Sequence, residues 1–425
     1  MTMFSPYTRF HGMAATDEQS TYFRKGFGLK ADVQGDLSAD YNGRIVDMLR
    51  EHDYTLTVED VTIRLASEFG FCYGVERAVE YAYQTRRKFP DRRLLLVGEI
   101  IHNPHVNAKL RSMGIEILVP DPDGTFDFSA VHAEDVVILP AFGVTMAAFE
   151  ALRATGCVLV DTTCGSVLNV WKRVDSYARD GFTALIHGKH YHEETRATAS
   201  QVLKYPGGSY LVVRDMSEAR EVCDYIEGRG DREAFLAKYR KAASPGFDPD
   251  VHLRRVGVAN QTTMLAKESL AIGEEVGNAI LRARGEEARA RDFRTFDTIC
   301  SATQERQDAV IALLEEPLTA MIVIGGFNSS NTISLAALCD ERVPTYHIED
   351  ASGIDPETGT VHFRRAGIKH VEATATGWLP AEGALRIGLT AGASTPNNKI
   401  GETVTRILAT RGVMFDPPTI APTAP

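Results

Sequence analysis

Several features that would settle a protein's class are missing from this chain. No apolar run approaches the roughly 20 residues that a membrane span needs. The first twenty residues, MTMFSPYTRFHGMAATDEQS, lack the apolar core of a secretory signal, and Asp17 and Glu18 suit a transit peptide poorly. Positive charge is short: 46 Lys and Arg against 57 Asp and Glu leave a net charge of −11. That argues against a general binder of nucleic acid or anionic membranes, and an anionic substrate would need a local cradle of donors. No Walker loop is present and no G-x-G-x-x-G follows a strand, so nucleotide-binding chemistry of either kind is disfavoured. Cysteine is sparse as well. There are six, with neither the Cys-x₂-Cys pairs of structural zinc sites nor the clustered runs of ferredoxins. Without a secretory signal they point to a reducing cytoplasm, where thiols serve metals or catalysis more often than disulfides.

What is there begins with three of those cysteines. Cys72, Cys164 and Cys300 lie far apart, yet each sits in a Gly-, Thr- or Ser-rich turn at the expected start of a helix: FGFCYGVERA, DTTCGSV and DTICSAT. Two share a phrase, Asp161-Thr162-Thr163-Cys164 and Asp297-Thr298-Ile299-Cys300. The N-terminus of a helix favours the thiolate, the form that binds metal. Cys157, Cys223 and Cys339 lie instead in apolar stretches and read as core. Three scattered thiols alone are ordinary; the shared turn context is what sets this trio apart. Brought together, they would make a three-thiolate site with one metal position left for chemistry. Zinc with three Cys and one His, or a cubane iron–sulfur cluster with one open iron, both satisfy that pattern.

From residue 94 onward the chain repeats one grammar: an apolar β-branched run, a small-residue turn, then a helical segment. LLLVGEI (94–100), VVILP (136–140), CVLVD (157–161), FTALIHG (182–188), VGVAN (256–260), MIVIGG (321–326) and RIGLTAG (386–392) are such runs. Short buried strands alternating with helices define an α/β architecture with parallel sheets, whose sites gather at one sheet edge. The repeated cysteine phrase divides the chain into three related α/β lobes. The expected boundaries are an N-terminal extension (1–60), lobes at 61–164, 165–300 and 301–412, a charged insert at 226–255, and a proline-rich disordered tail at 413–425. Ile45, Val46, Met48 and Leu49 form one amphipathic piece within the extension.

Two further constellations carry chemistry. His187-Gly188-Lys189-His190-Tyr191-His192-Glu193-Glu194 follows the run FTALI, and alternate residues of an extended loop face the same way, which pairs His192 with Glu194. A partly desolvated Glu holds its proton to higher pH and can act as a proton donor. A solvated polar loop or a zinc-ligand cluster would have the same composition. Phe327-Asn328-Ser329-Ser330-Asn331-Thr332 follows MIVIGG and opens a helix, and Ser394 in LTAGASTPNN repeats the arrangement. Free N–H groups at a helix start bind phosphate, and Ser and Asn add neutral donors. His102-Asn103 and Gln261-Thr262-Thr263 supply more. Each such turn alone is ordinary helix capping; several on one sheet edge make a polyphosphate pocket.

These residues, in this order, carry a resemblance. FGFCYGVERAV, GEIIHNPHV, LPAFGVT, DTTCGSV, HGKHYHEETRATAS, ANQTTM, DTICSATQERQ, GGFNSSNT and TAGAST resemble the 4-hydroxy-3-methylbut-2-enyl diphosphate reductase (IspH/LytB) family over roughly residues 60–400, in its plant and cyanobacterial form. The resemblance implies three α/β domains, mainly parallel, arranged as a cloverleaf around a [4Fe–4S] cluster. It implies Cys72, Cys164 and Cys300 as cluster ligands with one iron open. His102, His192, Ser329, Ser330, Asn331 and Ser394 would bind the diphosphate, Thr262 would lie near the substrate hydroxyl, and Glu194 would supply the proton. It also implies the last step of the non-mevalonate (MEP) isoprenoid pathway, with a small ferredoxin or flavodoxin as electron donor. One departure stands out: the common bacterial form has histidine where this chain has Phe142, and His187, His190 and His105 are the neighbouring donors available in its place. The rival readings are a non-redox iron–sulfur dehydratase and an iron–sulfur sensor or binding protein without turnover; the zinc reading of the histidine loop predicts a colourless protein.

Overall fold

The computed structural model describes residues 21–366 and 371–415. Of the expected disordered tail, 413–425, the part beyond residue 415 lies outside them, as do the first twenty residues, while Val413 is buried in the core and Phe415 packs against it. Among the described residues no helix is long and apolar enough to cross a membrane. The chain divides into two compact units: one takes residues up to Leu29, Arg77–Ile100 and Lys109–Cys300, and the other takes Lys30–Glu76, Ile101–Ala108 and the chain from Ser301.

All seven apolar runs form strands, and the reason is visible in their burial. Leu94–Val97, Val136–Leu139, Val158–Asp161, Thr183–His187, Val256–Asn260 and Ala320–Ile324 are buried at every position, and Leu385–Ala391 at all but Arg386. A strand covered on both faces needs Val, Ile and Leu without alternation, and that is the signature of a parallel sheet between helices.

The first unit holds two all-parallel sheets. One has five strands in the order Tyr22–Phe23, Val158–Asp161, Val136–Leu139, Leu94–Val97, Ile115–Leu118. The other has four, in the order Phe293–Thr295, Val256–Asn260, Thr183–His187, Tyr210–Val213. The segment 226–255 packs on the core of this second sheet. Phe235 and Tyr239, on helix Arg232–Tyr239, and Phe247 are buried in it, so the charged residues of that segment form only its outer face.

The second unit is built on one mixed sheet of eight strands. Its parallel centre is Thr345–Ile348, Ala320–Ile324, Leu385–Ala391 and Val61–Leu65; antiparallel strands flank it on both sides. Here the structure corrects a boundary. Val61–Leu65, expected to open the first lobe, pairs in parallel with Leu385–Ala391 and so belongs with the chain's C-terminal strands. Helix Arg44–Glu51 lays Ile45, Val46, Met48 and Leu49 into the same core.

Two histidines sit inside these cores. Burial pushes His187 and His347 down to about 4. The folded state therefore resists their protonation, while the unfolded chain takes up protons from about pH 6.5 downward. Stability is expected to be full above pH 6.5 and to fall between pH 6.5 and 4, by up to about 3 kcal/mol per histidine. Urea midpoints measured across that range check this; a His187→Gln variant should show a shallower fall, and identical profiles would contradict it.

Candidate active site

Each of the three turn cysteines immediately precedes a helix: Tyr73–Lys88, Gly165–Arg179 and Ser301–Leu313. Each is also tied down in the same manner. Cys164 N–H donates to Ala141 O at 3.0 Å, Cys300 N–H to Thr262 O at 3.3 Å, and Cys72 N–H to Ala393 O at 3.1 Å. Each acceptor lies two residues beyond the end of the neighbouring parallel strand, Val136–Leu139, Val256–Asn260 or Leu385–Ala391. One turn design therefore occurs three times, once per sheet.

The shared phrase explains two of these turns. Asp161 Oδ1 accepts Thr163 N–H at 2.9 Å, and Asp297 Oδ1 accepts Ile299 N–H at 3.0 Å. The next threonine pins the turn to the adjacent strand end: Thr162 Oγ1 donates to Leu139 O at 2.7 Å, and Thr298 Oγ1 accepts Asn260 N–H at 2.7 Å. Asp and Thr are there because their short side chains close such turns locally. The third turn uses a glycine instead. Gly70 has φ +66, and a Cβ there would meet Asn397 Oδ1 at 3.0 Å.

In the first unit the cysteine turns lead directly to the histidine–carboxylate loop. His192 caps helix Glu193–Ser200: its Nδ1 accepts Glu194 N–H at 3.2 Å, which leaves the ring proton of a neutral imidazole on Nε2. Phe142, next to the Ala141 that holds Cys164, stands edge-on to the His192 ring at 5.7 Å. The buried Glu194 carboxylate takes two bonds from one residue, Thr262 N–H on Oε1 at 2.6 Å and Thr262 Oγ1–H on Oε2 at 3.0 Å. That same Thr262 holds Cys300 through its carbonyl.

In the second unit the neutral donors gather around Cys72. Ser329 caps helix Ser330–Asp340. Ser394 Oγ lies 3.1 Å from His102 O and 3.4 Å from Ser329 Oγ. Asn331 Oδ1 accepts the N–H of Ala393, the residue whose carbonyl holds Cys72. His102, Ser329, Ser330, Asn331 and Ser394 are all buried. Buried side-chain donors on a helix N-terminus are the chemistry of an anion site.

His187, His190 and His105 each have surroundings of their own. His187 is fully buried with Nδ1 2.8 Å from Ser269 Oγ, His190 is exposed beside Tyr191, and His105 is edge-on to Tyr41. Phe142 presents an apolar ring that packs on His192.

Several supporting residues gave no signal in the sequence. Tyr22 Oη donates to Asp161 Oδ2 at 2.5 Å, and Arg77 bonds Thr163 O at 3.2 Å, so residues of the N-terminal segment and a helix brace the Cys164 turn. Arg306 bonds Gly70 O at 2.7 Å and does the same for Cys72. These partners lie 86 or more positions along the chain from what they hold, where local pattern carries nothing.

The thiol chemistry separates the six cysteines into two kinds. Cys157, Cys223 and Cys339 are buried, and burial pushes each thiol up, Cys223 to about 12, which suits packing and not ligation. Cys72, Cys164 and Cys300 are half-buried at helix starts. A half-buried thiol at a helix start is a soft donor of the kind that iron–sulfur chemistry uses, and each of the three has that setting.

The profile of the family described as LytB protein matches residues 63–408. A protein of Gloeobacter violaceus named 4-hydroxy-3-methylbut-2-enyl diphosphate reductase is 48% identical over 400 residues, covering 93% of this chain and 94% of its own. A protein of Thermosynechococcus vestitus with the same name is 47% identical over 393 residues, covering 92% and 95%. The solved structure of E-1-hydroxy-2-methyl-but-2-enyl-4-diphosphate reductase from Plasmodium falciparum shares the fold: TM-score 0.58 at 21% identity, covering 81% of this chain and 87% of its own.

Proposed function

The chain belongs to the LytB family, and we propose that it carries out the reaction its relatives are named for. It removes the hydroxyl of 4-hydroxy-3-methylbut-2-enyl diphosphate, taking two electrons and two protons and giving isopentenyl and dimethylallyl diphosphate plus water. This is the last step of the non-mevalonate isoprenoid pathway. The observation that carries the reading is Thr262, which binds both oxygens of Glu194 through its N–H and hydroxyl while its carbonyl holds the Cys300 turn.

Cys72, Cys164 and Cys300 would hold a [4Fe–4S] cluster, which when bound supplies electrons one at a time and a Lewis-acid iron for the departing hydroxyl. The protein's own residues do the rest. Ser329, Ser330, Asn331 and Ser394, with His102 and His192 Nε2, bind the diphosphate and hold the allylic alcohol in place. Glu194 supplies the proton through Thr262: when Oε2 carries it, the bond donated by Thr262 Oγ1 reverses, Oε2–H donates to Oγ1, and the Thr262 hydroxyl hydrogen passes to the substrate hydroxyl oxygen so that water leaves instead of hydroxide. Burial of Glu194 keeps bulk water from competing for that proton.

Electrons come from a small ferredoxin or flavodoxin in the cytoplasm, since the sequence carries no nucleotide-cofactor fingerprint. The dehydratase and sensor readings gain no support, because the relatives are named as reductases. Turnover of the diphosphate with and without dithionite or reduced ferredoxin tests the proposal. Product is expected only with reductant; product without it would return the protein to the dehydratases.

Phe142 makes a smaller prediction. Its edge-on packing orients His192, and such aromatic contacts contribute about 0.5–1.5 kcal/mol. Phe142→Ala should raise KM for the diphosphate about 3- to 10-fold with kcat nearly unchanged. An unchanged KM in steady-state assays would show that His192 is held without it.

A further inference from the structure

The loop that leads into the cradle helix is gripped from behind by side chains to which the mechanism above gives no part. His347 and Arg364 face each other on neighbouring antiparallel strands, Thr345–Ile348 and Thr360–Arg364. Both are buried, 2% and 8% exposed. His347 Nε2 lies 2.9 Å from Gly325 O; a carbonyl can only accept, so the ring proton is on Nε2. Arg364 Nη1 donates to Phe327 O. Glu349 Oε1 accepts Phe327 N–H at 3.5 Å, and the Phe327 ring stands edge-on to His347 at 5.2 Å.

The path from there to the cradle is equally constrained. Gly325 N–H donates to Ile348 O at 2.9 Å, and its φ of +147 is one that side chains rarely adopt. A Cβ on Gly325 would also meet Thr395 Oγ1 at 2.6 Å and Thr332 Oγ1 at 2.7 Å. Gly326 O accepts Ser329 N–H at 2.9 Å, and Ser329 caps the cradle helix. A rigid run therefore joins His347 and Arg364 to Ser329.

Peptide planarity turns this grip into function. In a trans peptide the N–H points opposite to the C=O, and no peptide bond among the described residues is cis. Tethering Gly325 O to His347 and Phe327 O to Arg364 sends the N–H groups of Gly326 and Asn328 the other way. A loop free to rotate those peptides could turn carbonyl oxygens toward a bound anion, which would repel it.

We propose that His347 and Arg364 are positioning residues for the diphosphate: they hold two carbonyls back so that the amides of Gly326 and Asn328 join Ser329, Ser330 and Asn331 as donors to the anion. This rests on the reading of that loop as the diphosphate cradle. Burial keeps His347 neutral, at about 4, so its Nε2–H donates throughout the physiological range without adding charge.

The test uses the full-length holoenzyme, with inorganic pyrophosphate as the probe. His347→Leu and Arg364→Met should each raise both KM and the inhibition constant of pyrophosphate by roughly tenfold, as expected for one lost orienting bond. kcat should stay within about threefold and iron content should be unchanged. His347→Gln and Arg364→Lys, which keep a donor, should recover part of the loss. In the wild-type protein, pyrophosphate should slow hydrogen exchange at the amides of Gly326 and Asn328. Unchanged constants in the folded variants, or a fall in kcat at constant KM, would overturn the proposal. So would unaltered exchange at those two amides while pyrophosphate still inhibits, and that measurement needs no variant to fold. Ser329→Ala and Asn331→Ala separate the two layers. If neither weakens pyrophosphate, the cradle itself is misassigned; if both do and the His347 and Arg364 variants do not, only the grip is refuted.

Discussion

Glu194→Gln is expected to lower turnover by roughly 10²- to 10⁴-fold, the range for a lost acid–base group, with KM little changed and iron content intact. Glutamine has the same shape and keeps an oxygen for Thr262 N–H, so the two-point contact with Thr262 need not collapse. What it loses is the acidic proton. The alcohol oxygen would then have to leave as hydroxide, a far poorer leaving group than water. Thr262→Val should follow in the same direction with a smaller loss, because it removes the relaying hydroxyl and keeps the N–H that orients the carboxylate. Steady-state assays with the native diphosphate and excess reductant check both. Full activity in Glu194→Gln would take Glu194 out of the proton path.

Replacing any one of Cys72, Cys164 and Cys300 by serine should cost the protein its visible colour and most of its iron, and with them all measurable reduction. Cys157→Ser should keep all three. The comparison is informative because the turns do not depend on the sulfur. Cys164 is held by its backbone N–H on Ala141 O, and Cys300 and Cys72 likewise on Thr262 O and Ala393 O. A serine variant therefore keeps its turn and changes only the ligand atom, from a soft thiolate to a hydroxyl that holds iron–sulfur clusters poorly. Cys157 is a different case, with its thiol buried and directed at Leu152 O at 3.6 Å. Iron and sulfide analysis of the four variants decides it. Equal iron in all four would refute the ligand assignment.

How far the sequence reached depended on the range of the forces involved. The seven apolar runs were legible because a strand buried on both faces must be apolar at nearly every position. The Asp-Thr-x-Cys phrase was legible because its turn is closed by side chains two residues away, within the same stretch of chain. Membership of a sheet is a different matter. Val61–Leu65 pairs with Leu385–Ala391, more than 300 positions along the chain, and nothing local records that choice. Strands such as Glu372–Thr376, polar and half exposed, carry no apolar run at all.

The site shows the same division. Alternation along an extended loop pairs His192 with Glu194, but the structure has Glu194 inside a helix with His192 as its cap. Phe142 offers no donor of its own, and what the sequence does not show is that its ring packs edge-on against His192. Tyr22, Arg77 and Arg306 brace the cysteine turns from distant segments, and His347 and Arg364 grip the cradle loop across a sheet. The residues proposed to touch a ligand are concentrated in short motifs, while those that hold the motifs still are scattered.

The most direct measurement is an iron and acid-labile sulfide count, with a visible spectrum, on the wild-type protein purified without oxygen. A brown protein with about four irons and four sulfides per chain, bleached by dithionite, is the expected result for three thiolates and one open iron. A colourless preparation with zinc and no sulfide, competent in turnover, would contradict it.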